Sequence, residues 1–302
     1  MSRPSRLLAA AIAGALLLGA CSAEEVDSDR LRSEVNDAVD DPPAAIERYV
    51  ALGDSFTAGP LVPITDLAGG CFRSDNNYPA LVADRLDVDR LVDVSCSGAE
   101  TADLTRPQRT VQDSTVPPQL DVLGPGTDLV TIGIGGNDFD LFHTLVATCS
   151  RLRTEDPAGS PCAEALEARG IDLVATARRI SGRVTTALRE IQDRAPKAKV
   201  VLVGYLRITP PSGGCEDLGF ARDDNAYGER VSRTLNTALA RAARRAGVEF
   251  IDMYAASEGH DVCSDEAWVN GRRTVRGEAL AFHPFAEGME AVADEVVDAL
   301  SG

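Results

Sequence analysis

A hydroxyl, an imidazole and two or three hydrogen-bond donors are sufficient for acyl transfer, and this 302-residue chain carries those groups at four separated places. Leu52-Gly53-Asp54-Ser55-Phe56 closes an apolar run with a tight turn. A serine there points its hydroxyl and its own backbone N–H into the same space, so Ser55 offers both a nucleophile and an oxyanion donor. Gly-Asp-Ser alone is weakly diagnostic, because the same tripeptide builds ordinary turns. Ser97-Gly98-Ala99 follows a second apolar run, where a glycine admits close approach of backbone to a ligand. Gly135-Gly136-Asn137-Asp138 follows a third, and the Asn137 amide there can donate to a developing oxyanion. Phe282-His283-Pro284 precedes the last helical stretch, with Pro284 at or near its first position and His283 in the loop before it.

The chain has only three histidines. His283 alone sits in the loop feeding the last helix, where it can fold back over the first turn. His143 is assigned to packing or to the surface beside the Asn137 motif, and His260 to a loop that ends at Cys263. Asp54 and Asp138 neighbour the candidate groups and are read as holding backbone N–H groups of tight turns rather than as bases or metal ligands. Tyr205 and Trp268 are read as wall and packing residues.

These pieces need a frame. From residue 46 onward, short Val/Ile/Leu-rich runs at 48–52, 91–95, 128–134, 199–204 and 248–252 alternate with helical stretches at 78–86, 171–194, 225–246 and 285–300. Tyr227, Val231, Leu235 and Leu239 fall at four-residue steps along the third of these helices. The alternation predicts an α/β fold, a parallel sheet covered on both faces. The irregular segments 56–77, 97–127, 205–224 and 255–284 each follow a strand, and they gather at the carboxyl edge where open α/β sheets place their sites. The remaining irregular segment is 149–165.

Composition narrows the partners. With 47 acidic against 30 basic side chains, a net charge of −17 and no basic stripe, the chain is a poor ligand for nucleic acid. Arg3 and Arg6 followed by the apolar run 7–18 and Gly19-Ala20 read as a signal peptide over 1–20, too short to span a bilayer. Leu18-Gly19-Ala20-Cys21 is similar to a bacterial lipobox, which makes Cys21 a lipid-bearing N-terminus. Residues 21–45 read as a lipidated cysteine and an acidic, solvated tether, and 46–302 as one catalytic domain. An exported, membrane-anchored or secreted monomer follows, touching the membrane only through the lipid on Cys21. Behind such a signal the six remaining cysteines are expected in disulfides. No pair has the close spacing of a zinc or thioredoxin-like centre, and sequential pairing, Cys71–Cys96, Cys149–Cys162 and Cys215–Cys263, is favoured because each bridge then staples one insertion.

In this order, the four motifs around Ser55, Gly98, Asn137 and His283 resemble the SGNH (GDSL) hydrolase superfamily over essentially all of 47–302. The resemblance implies a flavodoxin-like α/β/α sandwich with a five-stranded parallel sheet in the order 2-1-3-4-5. It makes Ser55 the nucleophile, His283 the general base, and Gly98 N–H and the Asn137 side chain partners of the Ser55 N–H in an oxyanion hole. Three sequential disulfides look like those of the secreted actinobacterial lipase and esterase branch. One position departs from the pattern: where the family often has Asp three residues before the histidine, this chain has Leu280. Some secreted esterases of this type use a main-chain carbonyl there, so Leu280 O is expected to accept the imidazole N–H, with Glu278 as runner-up. The expected enzyme hydrolyses acyl esters or lipids without metal or organic cofactor, its activity rising with an apparent pKa near ~6.5 to 7. The alternatives are a deacetylase of cell-envelope glycans and a non-catalytic lipid- or glycan-binding lipoprotein.

Overall fold

A computed structural model describes residues 45–301. The expectations for the signal peptide, Cys21 and the acidic tether lie outside the described residues, apart from Ala45. Five strands form one parallel sheet: β1 (Arg48–Gly53), β2 (Arg90–Asp93), β3 (Leu129–Gly133), β4 (Lys199–Val203) and β5 (Glu249–Ile251). Their order is β2-β1-β3-β4-β5, the 2-1-3-4-5 arrangement. β1 pairs with β2 through Tyr49 and Leu91 and with β3 through Tyr49 and Leu129, and β4 joins β5 through Val201 and Glu249. The two β-branched, apolar strands β3 and β4 are buried almost throughout, as a sheet covered on both faces requires.

Among the described residues eight α-helices follow in chain order: α1 (Ser55–Ala58), α2 (Tyr78–Arg85), α3 (Leu141–Leu152), α4 (Pro161–Ala168), α5 (Leu173–Arg194), α6 (Asp224–Ala246), α7 (Met253–Ala256) and α8 (Ala286–Ser301). The chain moves one way across the sheet from β1 to β2 and the other way from β3 to β5. Right-handed crossovers therefore put α2 on one face and α5 and α6 on the other. α8 packs on α2, and α5 on α6. The inward stripe of α5, Leu173, Ala177, Ile180, Val184, Leu188 and Ile191, is fully buried at the spacing of a helical face. Each such large aliphatic side chain contributes about 1.5–3 kcal/mol on leaving water. The α5 start is fixed by Asp172, whose carboxylate accepts the Ala175 N–H at 2.8 Å, and α6 stops at Gly247 in the left-handed region.

One expectation needs correction: 149–165 is not irregular throughout. It holds the end of α3 and the start of α4. Pro161 occupies the first turn of α4, and the Cys149–Cys162 bridge packs that short helix against α3. All three sequential disulfides are formed, Cys71–Cys96, Cys149–Cys162 and Cys215–Cys263.

Candidate active site

β1 delivers Ser55 to the carboxyl edge through Gly53. That residue has φ +143°, and a Cβ on it would lie 2.5 Å from Gly133 O, so only glycine lets β1 and β3 run side by side into the turn. The Gln119 amide clamps the same residue from the other side, accepting Gly53 N–H at 2.8 Å and donating to Gly53 O at 2.9 Å. Asp54 caps the four-residue helix α1, its carboxylate accepting the Phe56 N–H at 3.0 Å. Ser55 is thereby presented at the floor of a cavity of about 280 Å³.

The last loop brings His283 across the same cavity. Its Nε2 lies 2.8 Å from Ser55 Oγ, and its Nδ1 lies 2.7 Å from Ala281 O. A carbonyl only accepts, so the ring carries its proton on Nδ1 and turns the Nε2 lone pair to the serine hydroxyl. This corrects the expected role of Leu280. Phe282 adopts a left-handed backbone, φ +61°, which folds the ring back onto the carbonyl two residues before it. Leu280 O instead accepts the His283 backbone N–H at 3.1 Å and the Asn270 amide at 3.2 Å. Leu280 still lines the cavity; Glu278 is exposed and makes no hydrogen bond to His283.

Gly98 and Asn137 line the cavity opposite the imidazole. Gly98 has φ +80°, and a Cβ there would meet nothing closer than 3.9 Å, so backbone geometry rather than crowding requires the glycine. Asn137 uses one amide proton on Ala99 O at 3.0 Å, which leaves the other for a guest. Neither Ser55 N–H nor Gly98 N–H has an acceptor among the described residues. The structure thus brings together Ser55, His283, Gly98, Asn137 and Leu280.

Electrostatics set the protonation states. Burial pushes the His283 pKa down to about 4, against the opposing pull of the Ala281 carbonyl. The ring is therefore held toward its neutral, accepting form well below the ~6.5 of a free imidazole. Asp54 is pushed up to about 7 by burial, partly offset by the Tyr205 hydroxyl and the Phe56 N–H. Tyr205 lines the cavity, as a wall residue should. It also donates to Asp54 and accepts the Gly136 N–H at 2.7 Å, so one phenol ties the Ser55 turn to the Asn137 loop. Gln119 and Tyr205 were not legible as supports, since nothing local to either residue marks the distant backbone group it meets.

Asp138 accepts the Thr101 N–H and hydroxyl, both at 2.8 Å. His260 stacks on Trp268 with ring centroids 3.9 Å apart, and His143 is exposed at the cavity wall. Among the described residues no group of three or more His, Cys, Asp or Glu side chains is placed to hold a metal ion. The cavity walls are mostly apolar, with Phe56, Phe142, Leu145, Val146, Ile208 and Phe220 around one end.

A hydroxyl and an imidazole within hydrogen-bond reach over the carboxyl edge of a parallel sheet fit an ester hydrolase. The profile of the GDSL-like Lipase/Acylhydrolase family matches residues 51–291, and the chain belongs to that family. It is 36% identical over 264 residues to Lipase 2 of Streptomyces coelicolor, covering 83% of this chain and 85% of that one. It is 33% identical to a lipase of Streptomyces rimosus over the same share of each. Among solved structures it is similar to phospholipase A1 from Streptomyces albidoflavus, with a TM-score of 0.68, 27% identity and coverage of 84% of this chain and 99% of that one.

Proposed function

We propose that this chain hydrolyses carboxylic esters of lipid type through an acyl-enzyme on Ser55. His283 Nε2 takes the hydroxyl proton as Oγ attacks the ester carbonyl. Ser55 N–H, Gly98 N–H and the free Asn137 amide proton receive the tetrahedral oxyanion. The imidazolium then gives its proton to the departing alcohol, and water repeats the sequence on the acyl-enzyme. Ala281 O holds the ring in the productive tautomer but supplies no full negative charge, so the imidazolium is stabilised less than beside a carboxylate. The observation that carries this reading is the 2.8 Å approach of Nε2 to Oγ across 228 residues of chain, with Nδ1 tethered.

The apolar cavity suits an acyl chain, and the relatives named lipase and phospholipase support a lipid ester over an acetylated glycan. The three disulfides support export. We assign 1–20 as the signal peptide, 21–45 as a lipidated Cys21 and tether, and 46–302 as the hydrolase domain, acting as a monomer. Ser55→Ala should lower nitrophenyl-ester turnover by about 10⁴-fold or more and abolish covalent labelling by an organophosphonate, with thermal unfolding unchanged. A labelled, active Ser55→Ala protein would refute the assignment. Rates across acetyl to palmitoyl esters define the chain preference.

A further inference from the structure

Most large apolar side chains in the described residues are covered, and the four that are strongly exposed are not scattered. Ile64 is 74% exposed, Val111 58%, Leu67 48% and Val275 37%. Ile64 and Leu67 flank the first strand of a small hairpin, Thr65–Asp66 with Arg73–Ser74, whose Phe72 lines the cavity. Val111 sits at the tip of a second hairpin, Gln108–Arg109 with Thr115–Val116, and itself lines the cavity. The two hairpins abut, since a Cβ on Gly70 would meet the Thr110 hydroxyl at 2.5 Å. Val275 belongs to the loop that continues into Leu280 and Ala281, and Leu280 N–H bonds to Pro60 O at the stem of the first hairpin. Every strongly exposed large aliphatic residue thus stands on one of three neighbouring segments that also line the cavity.

Isolated surface aliphatics need no explanation, but a set confined to the segments around one opening marks a docking surface. The charge on the same segments is reversed relative to the chain. Residues 64–75, 106–116 and 271–281 carry six arginines and four acids, within a protein of net charge −17. Arg106 and Arg276 are exposed and have no carboxylate partner among the described residues. Apolar tips beside arginines match the boundary between acyl chains and anionic headgroups. The occupant must also be continuous with whatever enters the cavity, because Val111 faces both the opening and the outside.

We propose that these three segments form a rim that docks the domain on an anionic lipid surface, seating Ile64, Leu67, Val111 and Val275 among the acyl chains so that substrate enters the cavity directly from the lipid layer. The proposal rests on the reading of the cavity as the ester site. The test uses the exported full-length chain with Cys21→Ser, which removes any N-terminal lipid, and compares it with the same chain carrying Ile64→Ser, Leu67→Ser and Val275→Ser. Co-sedimentation is measured with vesicles of phosphatidylcholine alone and mixed with phosphatidylglycerol. Hydrolysis is measured on dissolved nitrophenyl butyrate and on an ester embedded in the mixed vesicles. The rim variant should unfold at the same temperature and keep the dissolved-ester rate within about twofold, while vesicle binding and the embedded-ester rate fall about tenfold. Parental binding should be stronger to the mixed vesicles. Equal vesicle binding by parent and rim variant overturns the proposal, as does no binding by either. So does a concentration-dependent dimer of the parent that the three substitutions abolish. Failure of the ester-site reading gives a separate signature: no turnover of either ester, whatever the vesicle binding.

Discussion

The two edges of the sheet are built differently. At the amino edge the chain returns from helix to strand in a few residues, 86–89 before β2, 195–198 before β4 and 247–248 before β5. At the carboxyl edge the connections run over 54–77, 134–172, 204–223 and 252–285, and 94–128 begins there before its end returns to the start of β1. Among the described residues, six of the seven non-glycine residues with left-handed backbone lie in those long segments, Phe72, Phe139 and Phe282 included. So do the disulfides Cys71–Cys96 and Cys215–Cys263. One edge spends its residues on closing the core, and the other on aiming side chains and carbonyls that no regular element would aim that way.

If that division is real, substitutions at the two edges should separate activity from stability. A large loss of activity without loss of fold belongs to Asn137→Ala, smaller than that at Ser55 or His283. Removing an oxyanion donor should lower kcat on nitrophenyl esters about 10²–10³-fold, with the denaturant midpoint unmoved. Ile191→Ala, near the amino end of the sheet, should do the reverse. Emptying that buried site should cost about 2–5 kcal/mol in urea unfolding while folded protein keeps its kcat and KM. A large kcat loss in Ile191→Ala would erase the distinction between the edges.

The pH dependence tests the carboxyl edge more finely. Burial holds His283 near a pKa of about 4, and only the neutral ring accepts the serine proton. Activity should therefore rise as pH climbs through about 4 and be on its plateau by pH ~6, where a free imidazole would still be mostly protonated. A kcat/KM profile with its acid limb near ~6.5 would contradict the buried environment. The smallest effect is expected at Glu278→Gln, which should leave turnover within about twofold, because Glu278 is exposed and Ala281 O already engages Nδ1. A hundredfold loss there would mean the acid reaches the ring during turnover.

Legibility in the sequence follows the same division. The five strands and four of the helices were readable because burial on one face or both imposes periodicity on side-chain type, and the structure leaves their ends in place or moves them by one or two residues. The residues of the site were readable where a side chain does the work: Ser55, Asn137 and His283 are distinctive types at strand and helix ends. Sequence reasoning missed the partner of the imidazole by one residue, since every residue has a carbonyl and only the left-handed turn at Phe282 selects that of Ala281. The helical stretches it names also leave out α3, of twelve residues, and α4, of eight. Tyr205 and Gln119 escaped for a related reason: each meets backbone groups more than 60 residues away, a relation that exists only after the sheet has closed.

The Cys71–Cys96 bridge stands two residues from Gly98, and the Ser97 N–H between them bonds to Cys71 O at 3.0 Å. The cavity wall at Gly98 is thus hung from a covalent bond that forms where thiols are oxidised. The strands and helices can assemble from apolar burial in any compartment, but this segment gains its final anchorage only after oxidation. On the proposed reading, the donor at Gly98 is thus held in place by a bond that a reducing compartment would not keep.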